Sequence, residues 1–157
     1  MSQDRPGRPT PKFPARAVIT NGMPYGDKQL HFGHVGGCFI HSDIYARFLR
    51  DRIGADNVIY VSGTDCYGAG IEVKYQAAQA DGFAGTIEDF VKGNHVAQKA
   101  TLDAYDISIS LYAASGLAPA AAPHAEMSEW VFNTWYEQAI CGWRKWSSSS
   151  TRRTACS

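Results

Sequence analysis

The sequence lacks the features that mark several common functional classes. Its 15 lysines and arginines are balanced by 15 aspartates and glutamates over 157 residues, so no basic field attracts nucleic acid. No apolar run is long enough to span a membrane, and the first residues are polar and proline-rich, so we expect no secretory signal. We therefore expect a cytoplasmic protein that does not contact a membrane.

Cysteine is scarce and occurs without pairing motifs. The four cysteines are Cys38, Cys66, Cys141 and Cys156. The absence of a C-x-x-C pair argues against a structural zinc site and against a disulfide framework. No metal-ligand spacing joins His41, His95 and His124, so we interpret them as ordinary surface or core histidines and expect no metal site.

Two glycine-rich nucleotide motifs are also missing. No G-x-G-x-x-G turn follows the first apolar run, which excludes the dinucleotide-binding dehydrogenases, and no P-loop is present. A hydrophobic content of 45% with 19% charged residues is typical of a globular domain with a real core. The function must therefore be sought in less common motifs.

A β-helix-β unit opens the ordered part of the chain. Apolar runs over 16–20 and 57–62 predict two strands, the first of them buried. A helix over 31–52, capped by Gly54, lies between them. This order implies parallel pairing with a right-handed crossover, and predicts an α/β fold with a Rossmann-like parallel sheet and flanking helices.

The helix over 31–52 carries two further patterns. Ile40, Ile44 and Phe48 recur every four residues and predict its apolar face. Asp43 and Arg47 lie one turn apart and predict a surface ion pair of small energetic weight.

The rest of the chain alternates between helical and extended patterns. The predicted elements are a helix over 71–80 closed by Asp81 and Gly82, a helix from the Thr86–Asp89 capping box to 103, a half-exposed strand over 107–112, a connector over 116–123 and a helix over 127–140. Val131 and Trp135 share a face of the last helix, with Phe132 and Tyr136 beside them. We interpret these side chains as core rather than as a cofactor or base-stacking surface.

The run His31-Phe32-Gly33-His34 is the strongest candidate for chemistry. Two histidines three apart share one face of a helix, and in its first turn their N–H groups can meet an anion that the helix N-terminus already favours. Gly33 leaves space for a flat ligand. The alternative is a structural helix cap beside a packing glycine.

Asp65 follows the second predicted strand. Because ligands of open α/β sheets bind outside the carboxyl ends of the strands, we expect Asp65 and the histidine corner to face one crevice. The alternative for Asp65 is an Asx-type turn after Gly63 and Thr64.

Four runs, read in order, carry a family resemblance. They are ITNGMPY at 19–25, LHFGH at 30–34, SDIYARFLR at 42–50 and YVSGTD at 60–65. With this spacing the chain resembles, over about 15–137, the first half of the catalytic domain of class I aminoacyl-tRNA synthetases, which has the HUP-type Rossmann-like fold. Within this family it most resembles the methionine-specific enzymes.

The resemblance implies a set of site residues and ligands. His31, Gly33 and His34 are implied to bind ATP, with Mg²⁺ as its counter-ion, and the two histidines to act in catalysis. Asp65 is implied to bind the α-ammonium of the amino acid, here methionine. Met23, Pro24 and Tyr25 are implied to line the amino-acid pocket, or else to serve only loop packing. The implied product is aminoacyl-adenylate for charging tRNA.

Several family features are not found. Cys66 and Tyr67 stand where the methionine-specific enzymes of this family usually have an acidic residue and a histidine. The second signature, a K-M-S-K-S-like loop, is missing, since residues 145–149 imitate its letters without its strand-loop context. The zinc-carrying insertion and the anticodon-binding domain that contacts tRNA are missing too.

We therefore divide the chain into three parts: a flexible leader over 1–14, the synthetase-like domain over 15–140 and an atypical tail over 141–157. The tail is predicted to be disordered or the product of a frameshift. We expect an incomplete first half with weak or no activity, poor solubility and either self-association or a completing chain. The alternatives are a truncated paralogue that binds ATP or an amino acid, and a non-functional gene fragment.

Overall fold

The computed structural model describes residues 12–138 and residue 140. Its elements in order are strand β1 (Ala17–Thr20), helix α1 (Phe32–His34), a π-helical segment (Val35–Phe39), helix α2 (Ile40–Ile53), a 3₁₀ turn (Ala55–Asn57), strand β2 (Val58–Thr64), helix α3 (Ala69–Ala80), helix α4 (Ile87–Ala104), strand β3 (Leu111–Ala114) and helix α5 (Ala121–Glu137). The predicted leader, the tail and the cysteines Cys141 and Cys156 lie wholly or largely outside the described residues.

The described strands form one parallel sheet in the order β1-β2-β3. Ala17 lies beside Val58, and Val61 lies beside Leu111. Helices occupy both crossovers, which confirms the predicted α/β class and its parallel pairing. None of the described helices is both long and apolar enough to cross a membrane.

The core lies on one face of this sheet. Phe39 and Ala46 of the first crossover and Leu102 of the second pack with Tyr60 of β2 and with Ile107. Successive right-handed crossovers that advance in the same direction across a sheet place their helices on the same face. Both α2 and α4 therefore cover the face that carries Tyr60.

The opposite face is largely bare. Val18, Ile59 and Leu111 share it by register and are 66%, 50% and 55% exposed. The prediction that the first strand is buried is therefore wrong: Val18 and Thr20 are exposed because no described helix covers this face, and Ala17 and Ile19 are only partly buried.

The apolar face predicted for α2 is wrong at two of its three residues, since only Ile40 packs against the core. Ile44 and Phe48 are 61% and 41% exposed, whereas Ala46 and Leu49 are buried. The buried face includes the carboxylate of Asp43. A periodicity argument that counts only apolar residues cannot find a face that contains a buried charge.

Asp43 is the centre of a polar contact between α2 and the segment before β3. Its carboxylate accepts hydrogen bonds from Ser108 N (2.7 Å), from the Ser108 hydroxyl and from Arg47 Nε (2.7 Å). Burial alone would raise the pKa of Asp43, but the bonds from Ser108 and Arg47 outweigh it and lower the pKa. The predicted ion pair with Arg47 exists, but it is not confined to the surface.

The third strand starts later than predicted. Residues 107–110 are irregular, with a tight turn in which Ile109 N donates to Ile107 O (2.9 Å), and they lead into β3 rather than belonging to it. Ile107 is buried in the core. The apolar alternation that we interpreted as a strand reflects this packing and the bonds of Ser108 to Asp43. The ladder itself begins where Ser110 N donates to Tyr60 O (2.8 Å).

Helix α5 begins inside the predicted connector, at Ala121, and its aromatic face is not core. Trp130 and Trp135 are 63% and 49% exposed, and none of the described residues of α5 is buried. The prediction that these aromatic side chains form core is therefore wrong for the described chain.

Local capping predictions are confirmed. Gly54 ends α2 with a φ of 93°, a left-handed conformation that suits glycine, and its N–H donates to Arg50 O (3.0 Å). Thr86 Oγ1 accepts from Asp89 N (3.1 Å), and Asp89 Oδ2 accepts from Thr86 N (2.9 Å). The predicted helix closed by Asp81 and Gly82 is α3.

Candidate active site

The two motif histidines start the first crossover helix and cap it. His31 is the N-cap residue with extended backbone (φ −105°, ψ 170°), and its Nδ1 accepts from Gly33 N (3.1 Å). His34 Nδ1 accepts from His31 N (3.3 Å). The two rings lie 3.8 Å apart between centroids. The structure thus forms the helix cap that was the alternative interpretation of this motif.

The cap also fixes the tautomer of each neutral ring. Because Nδ1 accepts a backbone N–H in both residues, the ring proton must lie on Nε2. Burial lowers the pKa of His34, and the nearby His31 and Lys28 lower it further, while Asp27 opposes them. Each neutral ring therefore keeps an Nε2–H donor that the cap does not use, so capping and anion binding are compatible.

The structure gives a reason for a glycine at position 33 that the sequence alone did not show. A Cβ at this position would lie 3.0 Å from His31 Cε1 and 3.1 Å from His31 Nδ1. The absence of a side chain therefore lets the His31 ring fold back over the first turn.

A π-helical segment, Val35–Phe39, follows directly after the histidines. Such single π turns inside α-helices occur frequently at functional sites. Here the segment joins the histidine cap to the buried Phe39 of the core.

Asp65 and the loop before the histidines are joined through backbone bonds. Asp65 N donates to Pro24 O (2.8 Å), and Gly26 N donates to Asp65 O (2.8 Å), so Tyr25 and Asp65 form a parallel bridge. Asp65 Oδ1 accepts from Tyr67 N (3.0 Å), which is the Asx-type turn that was the alternative interpretation of this residue. That turn uses one carboxylate oxygen and leaves Oδ2 for another partner.

The loop carries the remaining predicted site residues. Pro24 is buried, while Met23 and Tyr25 are 44% and 53% exposed. The Met23 methyl group lies 3.1 Å from the position that a Cβ on Gly63 would take. Met23, Pro24 and Tyr25 are thus placed beside the carboxyl end of β2.

The same loop then approaches the histidines through Asp27 and Lys28, whose charges act on His34. Asn21 Oδ1 and Asp27 Oδ1 are buried acceptors for which the described chain supplies no donor. An N–H or ammonium donor of a ligand would suit them.

Sequence reasoning missed a buried polar cluster behind this loop. Gln98 Oε1 accepts from both Thr64 Oγ1 and Tyr112 OH, and His95 Nδ1 lies 2.8 Å from Thr64 Oγ1. His95, interpreted above as an ordinary surface or core histidine, is half-buried and stacked on Tyr112 (centroids 5.2 Å apart). Polar side chains at helical spacing between the buried Val91 and Leu102 were the available signal.

Cavities adjoin this region without including the two motif histidines. One of about 290 Å³ is lined by His95 and Tyr112, and one of about 170 Å³ by Cys66 and Tyr67. Cys66 N donates to Ser115 Oγ (2.9 Å), and Tyr67 stacks on His124 (5.9 Å between centroids). The described residues contain no cluster of three or more potential metal ligands.

The comparison with protein families identifies the class. Residues 17–150 match the family model of tRNA synthetases class I (M), and the chain belongs to this family. The resemblance inferred from the four sequence runs is thereby confirmed.

The similar curated proteins are methionine–tRNA ligases. The chain is 36% identical to that of Chlamydia abortus over 100 residues, which is 64% of this chain and 17% of that protein. It is 33% identical to that of Cytophaga hutchinsonii over 124 residues, which is 79% of this chain and 16% of that protein. The chain thus spans about a sixth of the length of these relatives.

A solved structure shares the fold. Mycobacterium tuberculosis methionyl-tRNA synthetase, in complex with methionyl-adenylate, matches with a TM-score of 0.66 and 22% identity. The match covers 78% of this chain and 22% of that one. It confirms the Rossmann-like fold class.

Proposed function

We propose that this chain carries the ATP- and amino-acid-binding part of a methionine–tRNA ligase and takes part in forming methionyl-adenylate. The observation that carries the proposal is the histidine cap, in which both Nδ1 atoms are used by the backbone and both Nε2–H groups remain as donors. A helix start with two such donors suits a phosphate chain.

In this proposal His31 and His34 donate to the phosphates of ATP, which arrives with Mg²⁺ as its counter-ion. Gly33 keeps the first helical turn narrow enough for the nucleotide to approach. Neutral imidazoles are adequate here, since a positioned N–H donor stabilises developing phosphate charge without carrying a full charge itself.

The amino acid is held at the carboxyl end of β2. Asp65 Oδ2, which the Asx turn does not use, accepts from the α-ammonium group. Met23, Pro24 and Tyr25 line the pocket for the methionine side chain, and the parallel bridge between Tyr25 and Asp65 keeps the two parts of this subsite together.

The chemistry requires mainly positioning. The carboxylate of methionine attacks the α-phosphate of ATP in line, which forms methionyl-adenylate and releases pyrophosphate. The acyl group then passes to the 3′ end of tRNA. Holding the two substrates at attack distance and stabilising the phosphate oxygens supply most of the acceleration in such reactions.

ATP–pyrophosphate exchange with and without methionine tests the proposal. We compare the purified chain with His34→Asn, whose amide oxygen can still cap His31 N while the Nε2–H donor is lost. A matched control is His41→Ala, an exposed histidine of α2. Loss of one such donor is expected to reduce exchange by about 10²- to 10³-fold.

The outcomes separate the candidate functions. Methionine-dependent exchange that His34→Asn abolishes and His41→Ala retains supports the proposal. Binding of ATP and methionine without exchange identifies a binding module instead. A folded chain that binds neither ligand contradicts both functions.

A further inference from the structure

Gln98 on α4 is the most highly connected buried side chain near the candidate site. It is fully buried, and its Nε2 donates to Tyr25 O and to Lys28 O, both at 2.8 Å. Its Oε1 accepts from Thr64 Oγ1 (2.7 Å) and from Tyr112 OH (2.9 Å). Every donor and acceptor of this amide is therefore satisfied.

These contacts determine where the protons lie. Carbonyl oxygens can only accept, so the two carbonyls of the loop fix the amide nitrogen on their side and Oε1 on the other. Thr64 and Tyr112 must then donate to Oε1. Because the Thr64 hydroxyl proton is used, Thr64 Oγ1 accepts from His95, whose ring proton must lie on Nδ1.

Helix α4 holds the loop at three carbonyl groups. Besides the two bonds from Gln98, Asn94 Nδ2 donates to Gly26 O (3.0 Å) from one turn earlier. The held segment is continuous with the bridge between Tyr25 and Asp65, and Thr64 is the residue next to Asp65. One side chain thus contacts the loop through two backbone carbonyls and the end of β2 through the Thr64 hydroxyl.

We infer that Gln98 is the positioning residue of the amino-acid subsite. It fixes the loop from Tyr25 to Lys28 against the end of β2 through a hydrogen-bond network with a single proton order. The expected effect of Gln98 on methionine binding deepens the proposed function and rests on it. The effect on the loop and on the proton order is independent of it.

The test uses Gln98→Met, which keeps the size of the side chain and removes its hydrogen bonds. The matched control is Gln76→Met at an exposed position of α3. Amide exchange at Gly26 and Asp65 is measured by NMR against amides of β2. We expect the two bridge amides to exchange about tenfold faster or more, with β2 unchanged.

A second readout reports the proton order. The ¹⁵N shifts of His95 should show a proton on Nδ1 in the wild-type chain. In Gln98→Met the Thr64 hydroxyl is released and can donate to His95 or to Tyr112 OH, 3.3 Å away, so a proton on Nδ1 is no longer required and we expect the Nε2 tautomer to become populated. A side chain that only fills space would not change this tautomer.

The third readout is affinity for L-methionine and for ATP. Methionine binding should weaken by about tenfold, and ATP binding by less than about twofold, because the loop borders the amino-acid subsite. If wild-type protein binds no methionine, the proposed function fails, while the exchange and tautomer measurements still decide the role of Gln98.

Unchanged exchange at Gly26 and Asp65, or a wild-type His95 with its proton on Nε2, overturns the inference. If Gln98→Met does not fold, Tyr112→Phe replaces it. This variant removes one donor to Oε1 and should raise exchange at the bridge by about two- to fivefold. No change in that variant overturns the inference equally.

Discussion

Replacing Asp43 by alanine should destabilise the protein much more than its place in a helical ion pair implies. Asp43 is 8% exposed, and its carboxylate accepts from Ser108 N, from the Ser108 hydroxyl and from Arg47. Alanine leaves the half-buried Ser108 N–H without its acceptor, which typically costs about 1–3 kcal/mol. Arg47 is 47% exposed and can return to water, so it contributes less than about 1 kcal/mol.

We expect the free energy of unfolding to fall by about 1–4 kcal/mol in Asp43→Ala. For a domain of this size that lowers the melting temperature by roughly 10 °C. Asp43→Asn keeps an oxygen for Ser108 N but removes the charge, and should cost about half as much. Urea denaturation measures all three proteins, with Asp51→Ala as the control at an exposed position of the same helix.

The pH dependence gives an independent check. Because the folded pKa of Asp43 is lowered, the unfolded chain takes up the proton first as pH falls. The stabilisation is complete above the unfolded pKa of about 3.9 and is lost as pH falls through the folded pKa. The gap between wild type and Asp43→Asn should therefore close at acid pH. A loss in Asp43→Ala within about 0.5 kcal/mol of that in Asp51→Ala would refute the reasoning.

Three further substitutions have defined outcomes. Gly63→Ala should lower the free energy of unfolding by about 3 kcal/mol or more, because the new Cβ would lie 2.1 Å from Ala113 O. In Gly70→Ala the new Cβ meets nothing within 4 Å, so this variant should be neutral or more stable by up to about 1 kcal/mol. Equal urea midpoints for the two variants would contradict this. Thr86→Ala should lower the stability measured in thermal melts by about 1 kcal/mol through loss of the cap, and Thr86→Ser should retain most of that stability. An equal loss of stability in both variants would show that the cap is not the cause. Val18→Thr should reduce self-association in sedimentation velocity, because Val18 is 66% exposed on the bare sheet face; unchanged association would exclude this face as the contact.

The features that could be predicted from the sequence are those that depend on local chemistry. Gly54 needs only its own backbone conformation, and the Thr86–Asp89 box needs only four neighbouring residues. The parallel sheet followed from the order of strands and helices. In the candidate site, the family resemblance assigned Asp65 to the same subsite as Met23, Pro24 and Tyr25, and the parallel bridge between Tyr25 and Asp65 joins these two segments.

The predictions that were wrong concern features that are set by contacts between distant parts of the chain. The buried face of α2 is set by Asp43 meeting Ser108, 65 residues away, and the start of β3 is set by the same contact. Gln98 meets Tyr25 across 73 residues, so no local pattern identifies its role. Both residues are polar and buried, and hydropathy counts them as surface.

The parallel register has a consequence for how the chain acquires its structure. The central strand β2 pairs with partners that are each a whole crossover away, Ala17 with Val58 and Val61 with Leu111. Such distant closures must be made before the strand pairs can stabilise them, which makes folding slow. On a ribosome that adds about 5–20 residues per second, one edge of β2 stays open for several seconds until β3 emerges. The protein should therefore depend strongly on chaperones that bind nascent chains.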